Sequence, residues 1–444
     1  MPATDTIAAI ATPPGVGGIG IVRLSGPLAL NIGESLTDSN LRAKQIQFRN
    51  FYDNTASPID HGLCLYFHTP NSFTGEDVVE IQAHGGPVLL DMLLERVCEL
   101  GARLARAGEF SERAFLNGKI DLTQAEAIAD LIDSGSRAAA KAAIRSLEGK
   151  FSIQIHQLRD QIIALRTYIE AALDFAEEEI DFLADKSLGD RLSNSITTLE
   201  ELLAQAEHGR VLNEGLVVVL AGVPNAGKSS LLNYLAGYDV AIVTEIPGTT
   251  RDVVREQISL KGIPLHINDT AGLRDSVNPV EKEGIRRAWE EINKADTVLV
   301  LIDSLIGLTP EDQYIIDRLK TINYHLVYSK CDLLTGSSRP AEAELYISTK
   351  TGEGMDDLVA LITGDLSDYN QDNRVFMARR RHVDALIRTR ECLLQARKIF
   401  QQSCAGELIA EDLRKAQQHL SEITGEFSTE DLLGEIFSKF CVGK

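Results

Sequence analysis

The stretch Gly222-Val-Pro-Asn-Ala-Gly-Lys228-Ser229 constrains this chain more than any other. It follows the branched apolar run Leu216 to Leu220 and leads into Ser230-Leu-Leu-Asn-Tyr-Leu-Ala236. That order predicts a buried strand, a glycine-rich turn and a helix. The spacing G-x-x-x-x-G-K-S is the phosphate-loop signature. Gly222 and Gly227 let backbone N–H groups curl around phosphate oxygens, with Asn225 and Ala226 between them. The helix start at Ser230 adds the positive end of its dipole. Lys228 is expected to neutralise β- and γ-phosphates, and Ser229 to offer its hydroxyl to Mg²⁺. A chance glycine turn would lack this strand before it and this helix after it.

With 444 residues the chain exceeds one hydrophobic core, so two to four domains are expected. Apolar residues make up 44%, and no apolar run approaches the roughly 20 residues of a membrane span. Met1-Pro-Ala-Thr-Asp-Thr shows no secretory signal pattern. The six cysteines include no C-x-x-C pair. A cytoplasmic protein with reduced thiols, and no membrane partner, is the expectation. The net charge of −21 limits nucleic-acid binding to a local contact or one shared with a partner. The acidic group Asp174, Glu177, Glu178, Glu179 and Asp181 reads as a solvated helix face.

Residues 1–118 read as mixed α/β, with strands at Ile7–Ala11, Ile19–Leu24, Gly62–Phe67 and Asp77–Gln82 and a helix at Val88–Leu100. Gly15, Gly17 and Gly20 spell the dinucleotide fingerprint, but a strand follows instead of a helix, so that site is rejected. Asp77 and Glu80 could be edge residues or could face a pocket. Residues 119–214 turn to helix: Ala125–Ile132, a pattern with few breakers from Ala138 to about Leu173 that is long enough for a rod-like helix, and Leu188–His208, before a turn at Asn213-Glu-Gly215. Residues 367–444 are helical again, at Val375–Gln402, Leu408–Leu420 and Thr429–Phe440, after a polar linker from Asp365 to Asn373. The predicted fold is multidomain α/β plus all-α: an N-terminal α/β domain, then a discontinuous helical domain interrupted by a Ras-like P-loop GTPase domain at 215–366.

The inserted segment carries further nucleotide motifs in order. Pro247-Gly-Thr-Thr-Arg-Asp252 offers Thr250 to complete the Mg²⁺ shell. Asp269-Thr270-Ala271-Gly272 offers a carboxylate to that shell and the Gly272 N–H to the γ-phosphate. Ser329-Lys330-Cys-Asp332 resembles the guanine-reading N-K-x-D pattern, with serine in place of asparagine. That change is expected to weaken a supporting hydrogen bond and leave the Asp332 carboxylate in place. Ser348-Thr349-Lys350 stands where the last base-site loop belongs, which favours GTP over ATP. Leu273 occupies the position of the water-orienting glutamine of Ras-like enzymes, so hydrolysis needs another residue and another positive charge. Glu281 and Glu283 are the candidates, and chemistry alone leaves the choice open.

The whole chain resembles the MnmE (TrmE) family of bacterial tRNA-modification GTPases. The resemblance rests on Ala11-Thr-Pro-Pro-Gly15, Phe73-Thr-Gly-Glu-Asp77, Ala83-His-Gly-Gly-Pro87, Gly108-Glu-Phe-Ser-Glu-Arg-Ala-Phe-Leu-Asn117, the GTPase motifs and Cys441-Val-Gly-Lys444. It implies a homodimer whose N-terminal domain, also its dimerisation domain, binds 5-formyl-tetrahydrofolate or a related folate. It implies a heterotetramer with the FAD/NADH-dependent MnmG that modifies the wobble uridine of certain tRNAs. Folate contacts of the family correspond to Arg23, Glu80, Lys119 and Lys444. The family takes up K⁺ where others use an arginine finger, which places the potassium ligands on Asn225, Thr244, Ile246 and Thr249. The rest of that segment, Glu245, Pro247 and Gly248, joins the nucleotide site. The catalytic glutamate of the family falls on Glu281. Two other classes share part of the pattern: a slow GTP switch would lack folate binding, and a folate-dependent one-carbon transferase would not need GTP turnover.

Overall fold

The computed structural model describes residues 5–174, 186–237, 256–260, 263–269, 279–320, 322–334, 345–364, 375–402, 405–426, 430–438, 440 and 443. The chain forms two compact units. Met1–Ile132, Ser146–Leu199 and Ala385–Lys444 make one, and Asp133–Arg145 with Glu200–Asp384 make the other.

In the first unit, strands β1 (Ile7–Ile10), β2 (Gly17–Ser25), β3 (Ile46–Tyr52), β4 (Pro58–Phe67), β5 (Val78–Gly85) and β6 (Arg103–Leu104) form one sheet in the order β3-β4-β5-β2-β1-β6. Side chains alternate along β2 and β5. Val22, Leu24, Val79 and Ile81 are fully buried against helices α1 (Ala29–Thr37) and α2 (Pro87–Glu99). Arg23, Glu80 and Gln82 therefore lie on the opposite face. The rejected dinucleotide fingerprint runs into β2, which pairs antiparallel with both β1 and β5. Two glycines here serve packing. A Cβ on Gly20 would lie 2.5 Å from the Leu90 side chain, and one on Gly85 would lie 2.7 Å from the Gly17 carbonyl.

Helices α3 (Glu109–Leu116) and α4 (Leu122–Ile132) follow. The expected single rod from Ala138 to Leu173 is instead two helices, α5 (Arg137–Leu147) and α6 (Lys150–Asp174). Gly149, at φ +79, breaks it, because a left-handed residue cannot continue a right-handed helix. Gln124 Nε2 donates to the exposed-end carbonyl of Leu147 at 2.9 Å. The next helix, α7 (Lys186–Glu214), runs through the expected Asn213 turn and ends only at Gly215, φ +76. Of the acidic group, Asp174 ends α6 and the others lie outside the described residues, as does the 365–373 linker.

The second unit holds a sheet ordered β12-β11-β10-β7-β9-β8. Its strands are β7 (Leu216–Ala221), β8 (Glu256–Leu260), β9 (Ile263–Asp269), β10 (Thr297–Asp303), β11 (Tyr324–Ser329) and β12 (Leu345–Tyr346). All described pairings are parallel except β8 with β9. Val218 and Leu220 face a core with α8 (Lys228–Ala236) and α11 (Met355–Thr363). Val219 and Ala221 face a second core with α9 (Pro279–Lys294) and α10 (Pro310–Arg318). Helices on both faces explain why β7 and the Val298–Ile302 stretch of β10 are unbroken apolar runs. Three C-terminal helices, α12 (Arg380–Gln402), α13 (Gly406–Thr424) and α14 (Glu430–Ser438), complete the chain; residues 375–379, expected as helix, precede α12 without being helical.

Candidate functional site

β7 delivers the chain to the phosphate loop at the carboxyl edge of the sheet, where α/β folds bind ligands. Gly222, Asn225 and Gly227 have φ of +136, +67 and +98. A Cβ on Gly222 would lie 2.4 Å from the Leu301 carbonyl, so only glycine fits that turn. Lys228 is buried at 9% exposure, and its ammonium donates to the Gly222 and Val223 carbonyls at 2.8 and 3.1 Å. It is thus held inside the loop whose phosphates it is expected to neutralise. Ser229 and Ser230 are exposed on the first turn of α8. This ring of backbone, one buried cation and a helix start fits a triphosphate.

The base-side residues lie at the ends of β10, β11 and β12. Ser348 is fully buried; its hydroxyl donates to Asp332 Oδ1 at 2.7 Å and accepts the N–H groups of Lys350 and Thr351 at 3.2 Å each. That fixes the Asp332 carboxylate. Lys330 Nζ donates to the Asn225 carbonyl at 2.8 Å and to Asp303 Oδ2 at 2.6 Å. Ser329 Oγ lies 2.6 Å from the Ala226 carbonyl and 3.2 Å from that of Ile302. Ser329 thus makes a hydrogen bond directly to the phosphate loop. No sequence motif singles out Asp303, the last residue of the buried strand β10. Burial raises its carboxyl, but hydrogen bonds from Lys330 and the Leu305 N–H bring it below the usual carboxylate range.

Asp269 ends β9 beside Leu220 of β7, at the strand edge that leads to the phosphate loop. Glu281 and Glu283 both lie in the first turns of α9. The nominated residues Thr244, Glu245, Ile246, Pro247, Gly248, Thr249, Thr250, Thr270, Ala271, Gly272 and Lys444 lie outside the described residues.

In the first unit, Arg23 and Glu80 meet across β2 and β5, with Arg23 Nε 2.9 Å from Glu80 Oε1. Arg23 Nη1 also donates to the Gly443 carbonyl at 3.3 Å, and its guanidinium lies 5.8 Å from the Phe110 ring centre. The tail is thereby seated beside the pair, with Gly443 at φ +91 so close that a Cβ would lie 2.4 Å from the Ile10 carbonyl. Lys119 Nζ donates to Pro70 O at 2.9 Å, and none of its described contacts reaches Arg23 or Glu80. On the sheet face shared by Arg23 and Glu80, Gly18, Ile19, Phe48, His61, Leu63, Gln82 and His84 line a hollow of about 230 Å³. Ile19 and Phe48 are 66% and 62% exposed, an unusual burden of apolar surface for a sheet. Asp60 accepts the His84 backbone N–H at 2.9 Å, which aligns that rim. Another hollow, about 610 Å³ and lined by Gln157, Asp160, Arg191 and Asn194, contains no nominated residue.

On helix α3 Arg113, 5% exposed, binds Asp5, Glu76 and Glu109 at 2.8, 3.1 and 3.1 Å. Burial pushes the Glu109 carboxyl up, yet hydrogen bonds from Arg103, the Arg106 N–H and Arg113 outweigh it and hold it at about 2.

The profile described as the GTP-binding protein TrmE N-terminus matches residues 6–119, and that of the MnmE helical domain matches residues 122–441. The tRNA modification GTPase MnmE of Legionella pneumophila strain Corby is 53% identical over 99% of both chains. That of Vibrio cholerae is 51% identical over 99% of this chain and all of the relative. A solved Aquifex aeolicus Era structure aligns with 40% of this chain and 66% of its own at 23% identity, with a TM-score of 0.28, too slight a likeness to argue from. With full-length identity of this degree, carried by an intact phosphate loop and base-side residues, the chain belongs to the MnmE family of tRNA modification GTPases.

Proposed function

We propose that this GTPase works with the flavoprotein MnmG, which uses FAD and NADH, to add a carboxymethylaminomethyl-type group to C5 of the wobble uridine of certain tRNAs. The observation that carries the reading is full-length identity to MnmE relatives in a chain whose nucleotide site is complete wherever it is described. A 5-formyl-tetrahydrofolate-type cofactor would supply the one-carbon unit, and Mg²⁺ with K⁺ would neutralise phosphate charge. Ser229, beside Lys228, suits Mg²⁺ together with Thr250. The exposed carboxamide of Asn225 leaves an oxygen free at the tip of the phosphate loop for K⁺, alongside Thr244, Ile246 and Thr249.

On the N-terminal sheet, Arg23 and Glu80 stand ready as a donor and an acceptor for a folate, with Gly443 placing Lys444 next in the chain. The adjoining hollow has an aromatic wall, Phe48, and a polar amide, Gln82, which suit a heteroaromatic ring. Its volume of about 230 Å³ is below the roughly 300–1,000 Å³ of pockets that enclose such ligands, so a second wall is needed. A second copy laid on exposed Ile19, Phe48 and Leu63 would provide it and make the homodimer. Among the described residues no helix is long and apolar enough to cross a membrane, and a cytoplasmic setting is part of the proposal. The test is nucleoside analysis of tRNA from cells lacking the protein, complemented with wild type or with Arg23→Ala. Unmodified wobble uridine in the deletion, restored by wild type alone, supports the reading; normal modification in the deletion sinks it.

A further inference from the structure

The base-side segment and the phosphate loop are joined at two successive carbonyls. Ser329 reaches Ala226, and Lys330 reaches Asn225. Both Lys330 and Asn225 have positive φ, +59 and +67, a conformation that L-residues with side chains adopt at a cost. One ammonium therefore bridges two backbone segments that each hold a residue at positive φ. That ammonium is aimed by Asp303, whose side chain is 10% exposed and whose Oδ2 lies 2.6 Å away. Asp303 is itself immobilised: its Oδ1 accepts the Leu305 N–H at 2.9 Å, and β10–β11 register sets it opposite Ser329.

We propose that Asp303 is a positioning residue of the nucleotide site, holding Lys330 so that a single ammonium keeps the base-side loop at a fixed distance from the tip of the phosphate loop. The proposal rests on reading Lys330 and Asp332 as the base-side residues. A nucleotide spans those two loops, so fixing their spacing before binding lowers the ordering cost of the complex. The clamp ties the base-side loop to a backbone carbonyl of the phosphate-loop tip, so it governs how long nucleotide stays.

The test is stopped-flow release of a fluorescent GDP analogue from the full-length protein, with steady-state GTP hydrolysis alongside. Asp303→Asn keeps the acceptor for the Leu305 N–H and removes the charge. It should speed release and raise KM by about tenfold, the worth of one charge-assisted hydrogen bond, with kcat within about twofold. Asp303→Ser, which can also cap that turn, should behave alike if the asparagine variant does not fold. In a Lys330→Met background either substitution should add less than about twofold. Full multiplication of the two effects, or unchanged release in both Asp303 variants, overturns the clamp. Unchanged release in Lys330→Met alone overturns the base-side reading and the clamp with it.

Discussion

At Ser329 one hydroxyl, buried under the phosphate loop, meets the Ala226 carbonyl, while its Oγ lies 3.5 Å from where a Cβ on Gly227 would sit. A short side chain is enough to make that tie. Ser329→Ala leaves that carbonyl unpaired, and the KM for GTP should rise by roughly five- to tenfold. Ser329→Asn should bind within about threefold of wild type if serine already serves; a gain of tenfold or more by titration calorimetry would show that serine weakens the site. Glu281 presents a different residue-scale question. Both it and Glu283 belong to α9, and two positions along a helix are separated by about 200° around its axis. Glu281→Ala should cut single-turnover hydrolysis by about 10²-fold or more and leave GTP binding nearly unchanged, with Glu283→Ala close to wild type. The reverse pattern would reassign the residue that positions water.

Helix α3 is held by charge. Glu109 and Arg113, one turn apart on it, are both buried and bound to Asp5, Glu76 and Arg103 from other segments. Removing one partner leaves the others buried and uncompensated, so Glu109→Gln should destabilise the N-terminal unit by about 3–5 kcal/mol in denaturant titration at pH 7. The pH sign follows from the lowered carboxyl. Its contribution is complete above the ordinary carboxylate range near 4.5 and is lost as pH falls through about 2. Wild type should therefore lose stability between those values, and the glutamine variant should lose less; parallel curves would assign the acid sensitivity elsewhere. The α5–α6 break is an element-scale case of its own. Gly149→Ala keeps the chain at positive φ at a cost of about 1–2 kcal/mol, measurable as a lowered melting temperature.

For the whole molecule, Leu273 leaves the Ras-like glutamine role vacant, and GTP turnover is expected to require K⁺, with Na⁺ a poor substitute. Rates in matched KCl and NaCl at equal ionic strength check this, and equal rates would end the idea. Asn225→Ala should lower the stimulation by K⁺ and leave Mg²⁺-dependent nucleotide binding in place. The sheet-face reading predicts a dimer by analytical ultracentrifugation, weakened by Phe48→Asp; a monomeric wild type would remove it. What was legible in sequence alone was whatever depends on neighbours along the chain. The order strand, Gly222–Ser229 and helix, and the strands near Ile19–Leu24 and Asp77–Gln82, are set by local periodicity and backbone freedom. Even there, a lone Gly149 was enough to split a predicted rod, because periodicity does not report the sign of φ. Tertiary structure alone decided which distant residues meet: Asp303 with Lys330, Arg113 with Glu76, and Gly443 with Arg23, 420 positions apart. Hydrogen bonds and ion pairs act over about 3 Å in space whatever the separation in sequence, so their partners are set only once the sheets have fixed their registers.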